Sequence, residues 1–158
     1  MGTLADLGGR YRFNTRLLAR FTEDFSEKDW GSRADDLNAA HWILAHMTGT
    51  RRSALRLMGV DIPREEWEKA TGLGGDHEGF KQAPPVARLL SEFQALGEKI
   101  DKVISALGAD GLSRTIDTGL PDGSKTAGEG VFGLYMHECI HMGQLSMIRR
   151  LLGKPGLM

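Results

Sequence analysis

The chain has 158 residues, of which 41% are apolar and 26% are charged, and its formal net charge is −1. This balance excludes the strongly basic surface typical of proteins that bind nucleic acids or anionic membranes, and the length suits a single domain, residues 1–158, with a substantial core. One cysteine, the absence of a signal-peptide pattern and the lack of an apolar run of about 18 residues predict a cytoplasmic protein without an intrachain disulfide or a membrane span.

Four segments have the periodicity of amphipathic helices, and the first two lie in the N-terminal half. The first helix is predicted over Thr3–Phe25, where apolar residues recur at steps of three and four. The second is predicted over Asn38–Met58, with Gly59 as its stop. Residues 59–83 are rich in glycine and are predicted to form a long loop, with a helical turn at Arg64–Lys69.

The third and fourth predicted helices occupy the C-terminal half. The third covers Pro85–Leu107, because proline suits the first turn of a helix and Gly108 follows as a stop. Residues 108–126 are polar and contain the turn signal Pro121–Gly123. The fourth helix is predicted over Ala127–Leu152. Four amphipathic helices without a convincing strand predict an all-α four-helix bundle, and its long connections permit a topology other than simple up-and-down.

The most informative motif is His137-Glu138-Cys139-Ile140-His141, which reads H-E-x-x-H within the fourth predicted helix. Residues four apart on a helix lie about 40° apart at roughly 100° per residue, so both imidazoles share one face and can bind one divalent metal. The motif is typical of zinc peptidases, but the 17 residues after His141 contain no His, Asp, Glu or Cys. A peptidase is therefore disfavoured, and a third ligand has to come from earlier in the chain.

Three further histidines are candidates for this third ligand. His46 lies on the face of the second predicted helix that carries apolar and small residues, so we expect it to point into the bundle. His41 lies about 140° away from it around the same helix, and His77 falls in a glycine-rich loop where we expect it to be solvated. The best triad is therefore His46, His137 and His141. With three such ligands a metal lowers the pKa of a bound water and keeps a position for substrate.

Structural interpretations of the same residues stay open. His46 can be an ordinary core histidine, and a histidine pair at i, i+4 can belong to a polar patch. Glu138 is a candidate general base, but it can equally accept a hydrogen bond from a metal-ligating histidine. It can also form a salt bridge with Arg149, Arg150 or a residue of the first helix. Gly133 shares the stripe of the histidine pair and is expected to leave space for an open coordination position.

Two predicted helices resemble the motif helices of the DinB-like (YfiT-like) superfamily. His137–Gly156 contains an H-x-x-x-H-x-G-Q pattern followed by an arginine pair and a leucine-rich end. Leu37–Leu55 contains the family's N-x-x-x-W-x-L-x-H-[LM] pattern. The resemblance implies a four-helix bundle, frequent homodimerisation and a divalent metal held by three histidines, which fall on His46, His137 and His141. It does not imply binding to DNA.

The known activities of that superfamily are mostly thiol-dependent: transfer of low-molecular-weight thiols such as bacillithiol or mycothiol to electrophiles, and isomerisation of maleylpyruvate. We therefore expect a metal-dependent S-transferase or hydrolase that acts on a small molecule. Imidazole ligands leave the metal open, with zinc or nickel favoured and iron or manganese as alternatives. Two other hypotheses remain, a non-catalytic protein that binds or senses a small ligand at the metal pocket, and a structural dimeric bundle with vestigial histidines.

Overall fold

The computed structural model describes residues 6–34, 38–72 and 79–156, and its regular secondary structure is helical. The helices are α1 (Leu7–Thr22), α2 (Glu27–Trp30), α3 (Ala40–Leu57), α4 (Glu66–Ala70), α5 (Val86–Ser113) and α6 (Ala127–Leu151). Within the described ranges the β pairing is limited to an isolated antiparallel bridge between Thr115 and Thr126. The four long helices α1, α3, α5 and α6 form the four-helix bundle that the sequence predicts.

Some helix boundaries differ from the predicted ones, and capping residues explain the clearest case. α1 ends at Thr22 rather than at Phe25, because Ser26 begins the short helix α2 with a capping box. The Asp29 N–H donates to the Ser26 hydroxyl, and the Ser26 N–H donates to the Asp29 carboxylate at 2.8 Å. The helix α2 was not predicted from the sequence, since four residues are too few to show a helical period.

Glycines lie at the two predicted helix stops that precede the long loops, Gly59 and Gly108. Gly59 follows α3 with a φ of 86°, a left-handed conformation that favours glycine. Gly108 has a φ of 61° and interrupts α5, although the helix resumes and ends at Ser113. The turn predicted at Arg64–Lys69 is the helix α4.

Contacts between helices define the topology of the bundle. Tyr11 near the start of α1 donates a hydrogen bond to the Val131 carbonyl near the start of α6, and Arg149 near the end of α6 donates to the Phe21 carbonyl near the end of α1. These two helices are therefore parallel. The contacts of the other helix pairs show in the same way that α3 and α5 are parallel. They also show that α1 is antiparallel to α5 and that α3 is antiparallel to α6. The order is up–down–down–up, and residues 58–85 return the chain from the end of α3 to the start of α5.

A fully buried ion pair lies at the centre of the bundle. Arg51 of α3 and Glu138 of α6 are each 0% exposed, and two guanidinium nitrogens donate to the two carboxylate oxygens at 2.8 Å. The guanidinium also donates to the carbonyls of Tyr11 and Phe93 and to the hydroxyl of Thr15. It thus binds groups from α1, α5 and α6 at once, which sets the face that α6 presents to α3.

Apolar side chains fill the bundle on both sides of this ion pair, in two clusters. The largest fully buried aliphatic side chains are those of Leu7, Leu18, Ile43, Leu44, Met47, Leu55, Leu89, Ile100 and Ile104. None of the helices in the described ranges combines the length and the apolarity needed to cross a membrane.

Candidate metal centre

Three imidazoles meet where α3 lies beside α6. His46 extends from α3, and His137 and His141 extend from successive turns of α6. The Nε2 atom of His137 lies 2.7 Å from Nε2 of His46 and 3.1 Å from Nε2 of His141. One nitrogen of each ring lies within 4.8 Å of the other two, an arrangement that could hold a metal ion. The fold therefore brings together the three histidines that the helical faces and the family resemblance both indicate.

The outer nitrogen of two of these rings faces a hydrogen-bond acceptor. His46 Nδ1 lies 2.5 Å from the carbonyl oxygen of Thr71, and His141 Nδ1 lies 2.7 Å from the amide oxygen of Gln144. Because these oxygens only accept, Nδ1 carries the proton in both rings, and each neutral ring presents a lone pair at Nε2. An outer hydrogen bond of this kind orients a metal-ligating histidine and raises its basicity.

This protonation pattern fits a bound cation better than a cluster of hydrogen-bonded histidines. His137 can donate through Nε2 to one neighbouring ring at most, so at least one of its two short N···N contacts is repulsive because no proton lies between the nitrogens. A divalent metal relieves that repulsion, since it accepts a lone pair from each ring. Ligand nitrogens around a tetrahedral zinc lie roughly 3.3 Å apart, a separation that small rotations of the rings can reach.

The environment keeps the three imidazoles neutral. The pKa of His141 is lowered to about 4, first by burial and then by the neighbouring His46 and His137. Burial is also the first cause of the lowered pKa values of His46 and His137. At neutral pH, protons therefore do not compete with a metal for the Nε2 lone pairs.

The histidine cluster opens into a cleft of about 1490 Å³. Trp42, one turn before His46 on α3, stacks on the imidazole with ring centroids 5.0 Å apart and planes 7° apart. The exposed apolar side chains of Phe132, Met136 and Ile140 line the α6 wall. Such a cleft, with an apolar wall and a few convergent polar groups, is typical of sites for small molecules.

The space above Gly133, which the sequence analysis expects to be open, is occupied by the side chain of Asp122. A Cβ atom at Gly133 would overlap with Asp122 Oδ2, and both residues line the cleft that contains His137. The physical reason is the turn at Pro121–Gly123, which brings the loop before α6 back against the first turns of that helix. Asp122 was not predicted as a residue of the site, although a carboxylate in a turn and a glycine four residues before His137 together indicate a close approach of the loop to α6.

Glu138 points into the bundle, where its carboxylate is bound by Arg51 and accepts a hydrogen bond from Asn14 at 3.0 Å. Its ion-pair partner is therefore Arg51 and not Arg149 or Arg150. Arg149 pairs instead with a carboxylate in the connection between α1 and α2. Helical spacing shows which face of α6 carries Glu138, but it does not show which residue of another helix lies opposite.

The other two histidines have different positions. His41 Nε2 lies 2.9 Å from the carbonyl oxygen of Pro84, and its ring packs edge-on against Phe80. This agrees with the predicted separation of His41 from His46 around α3. His77, which the sequence analysis expects to be solvated, lies outside the described residues.

Four long helices with three converging imidazoles on facing helices define a class of helical bundle that is able to hold a divalent metal. The sequence model of the DinB superfamily matches residues 10–145, which include all three histidines. The chain therefore belongs to the DinB superfamily. No curated protein matches the chain.

Proposed function

We propose that this protein is a metal-dependent enzyme that acts on a small molecule, of the thiol S-transferase or hydrolase type. The observation that carries the proposal is the convergence of the Nε2 atoms of His46, His137 and His141 beside an open cleft. Imidazoles with a purely structural task would satisfy their nitrogens by hydrogen bonds within the interior. Here the Nε2 atoms of the three imidazoles face one another without enough protons to form a hydrogen bond in each contact, and they do so beside a cleft that a substrate can enter.

The residues of the centre divide into metal ligands and residues that orient those ligands. The three imidazoles hold a divalent metal, with zinc or nickel favoured and iron or manganese as alternatives, since imidazole suits several of these ions. When bound, such a metal lowers the pKa of a thiol or a water at its remaining position. Thr71 and Gln144 orient two of the rings through their Nδ1 protons.

The preference for a thiol over water follows from membership of the superfamily, whose known activities mostly use low-molecular-weight thiols. The cleft has room for such a thiol beside an electrophile. A reducing cytoplasm, which maintains free thiols, is the compartment that this proposal implies.

Zinc- or nickel-loaded protein is expected to accelerate the reaction of a low-molecular-weight thiol with an electrophile by at least about 100-fold over chelator-treated protein, because the bound ion stabilises the nucleophilic thiolate. The measurement uses bacillithiol, mycothiol or cysteine with chlorodinitrobenzene, and nitrophenyl acetate for the hydrolase arm. His46→Ala is expected to abolish the acceleration. His41→Ala is the matched control, because it changes a histidine of the same helix that lies outside the cluster.

Equal rates with and without metal, for every thiol and for the ester, would contradict the proposed activity. Tight binding of a thiol to the metal-loaded protein without turnover would instead identify the non-catalytic binding protein that the sequence analysis leaves open.

We also propose that the protein acts as a homodimer that pairs through α6. This helix carries an exposed apolar stripe that the bundle leaves uncovered, with side chains between 43% and 67% exposed. The stripe consists of Phe132, Met136, Ile140, Gly143, Met147 and Leu151. Its steps of four, four, three, four and four residues match the seam along which two helices pack. A second copy offers the same stripe, so a twofold axis would cover both.

Ile140→Lys is expected to convert the dimer to a monomer, because it places a charge in the middle of the stripe. Phe13→Lys is the control, since Phe13 is an exposed apolar residue of α1 that is 52% exposed and lies outside the stripe. Sedimentation equilibrium measures both masses. A wild-type protein that stays monomeric at high concentration would contradict the dimer.

A further inference from the structure

A carboxylate lies on the cleft side of the histidine cluster and has no task in the proposed function. The Oδ2 atom of Asp122 occupies the space that a side chain at Gly133 would fill. Gly133 precedes His137 by one helical turn on the same face of α6, and Cβ positions four residues apart on a helix are separated by about 6 Å. The carboxylate is therefore held within roughly one helical turn of the His137 side chain.

The loop itself holds this carboxylate in place. The Ser124 N–H donates to Asp122 Oδ1 at 3.0 Å, and the Ser124 hydroxyl also bonds the carboxyl group. These hydrogen bonds lower the pKa of Asp122, so the group is ionised at neutral pH. Oδ1 accepts the backbone N–H of the loop, and Oδ2 lies against Gly133 of α6 at the edge of the cleft.

Other charged groups also line the cleft, and two of its carboxylates have partners of their own. Those beside the turn are Lys125 and Glu129, and those across the cleft are Arg56, Arg64, Glu68 and Lys69. Glu129 accepts the backbone N–H groups that cap α6, and Glu68 is paired with arginines of α3. Among the described carboxylates that line the cleft, Asp122 is the one placed beside the turn of α6 that precedes the histidine pair.

We propose that Asp122 is the proton acceptor for the thiol cosubstrate, an inference that rests on the proposed thiol-transfer function. The S–H bond breaks as its proton moves to Oδ2 of Asp122, and the electron pair stays on sulfur. Sulfur then forms a C–S bond with the electrophilic carbon, and the leaving group departs with the electron pair of its own bond. Asp122 gives the proton to the leaving group or to water, which restores the carboxylate.

Asp122→Asn is expected to lower the rate of thiol transfer to chlorodinitrobenzene by about 100- to 10,000-fold near pH 7. The deficit should shrink as the pH rises past the pKa of the thiol, about 8.5, because a preformed thiolate needs no base. Zinc affinity should stay within about threefold of wild type, as Asp122 is not among the ligands. Asp117→Asn is the matched control, since Asp117 accepts a similar loop hydrogen bond from Gly119 at 3.1 Å but does not line the cleft.

Gly133→Ala is a second variant, which displaces the carboxylate without removing it. The added Cβ meets the mobile end of the Asp122 side chain rather than backbone, so the helix is expected to fold while the rate falls. Carbon NMR of cobalt-loaded protein gives a readout apart from activity. The Asp122 carboxyl signal is expected to shift and broaden, whereas that of Asp117 stays sharp.

Four results would overturn the inference. An Asp122→Asn rate equal to that of Asp117→Asn, or a deficit that stays constant with pH, would exclude a proton acceptor at this position. If Asp122→Asn loses zinc binding together with its rate, Asp122 contributes to metal binding and is not the proton acceptor. If the wild-type protein binds metal but transfers no thiol, the proposed function fails and the acceptor fails with it, whereas wild-type turnover with an unaffected Asp122→Asn removes the acceptor alone.

Discussion

Glu138→Gln is expected to lower the free energy of unfolding by about 3–5 kcal/mol, the typical cost of breaking a buried ion pair by removing one partner. Glutamine keeps the shape of the side chain but removes its negative charge. Arg51, which is 0% exposed, would then remain as a cation in the middle of the bundle. Its guanidinium lies 3.3 Å from the ring centroid of Phe93, so it cannot reach water without disturbing the core.

Urea denaturation of the metal-free protein measures this loss, since chelation removes any contribution of a bound metal. Glu66→Gln is the matched control, because the pair of Glu66 with Lys69 is exposed and is expected to change the stability by about 0.5 kcal/mol or less. Folded Glu138→Gln protein should still bind metal, as Glu138 does not belong to the histidine cluster. A fully stable Glu138→Gln protein that loses only its activity would contradict this account and restore Glu138 as a catalytic group.

The four long helices follow from local patterns, and their arrangement does not. Apolar residues at steps of three and four predict α1, α3, α5 and α6, because each helix buries one stripe. The up–down–down–up order depends on contacts between residues far apart in sequence, such as Arg51 with Glu138, which are 87 positions apart. An arginine in an amphipathic segment is ordinarily exposed, so composition gave no reason to bury Arg51.

The candidate site was predictable to the extent that it depends on helical faces. His46, His137 and His141 lie on stripes that point inward, and the structure brings them together. Thr71 and Asp122 were missed because both belong to loops, whose conformation is decided by turns and by packing against other elements. A glycine on a functional stripe indicates a close neighbour as readily as it indicates open space.

Saturating zinc is expected to raise the free energy of unfolding of the wild-type protein by about 4 kcal/mol when the free metal exceeds its Kd about 1000-fold. The three histidines are brought together only in the folded state, so the metal stabilises the folded chain. His141→Ala is expected to lose this stabilisation, because only two of the three imidazole ligands remain to bind the metal. Gln144→Ala, which removes only the outer hydrogen bond of His141, is expected to weaken zinc binding by about 10- to 100-fold.

The most direct measurement is the metal content of untagged protein purified without chelators, for the wild type beside His141→Ala, with His41→Ala as the control. The structure predicts about one transition-metal ion per chain in the wild type and in His41→Ala, and a loss of that ion in His141→Ala. The absence of metal in all three proteins, even after reconstitution with zinc and nickel, would contradict the metal centre and leave a helical bundle whose three histidines have another task.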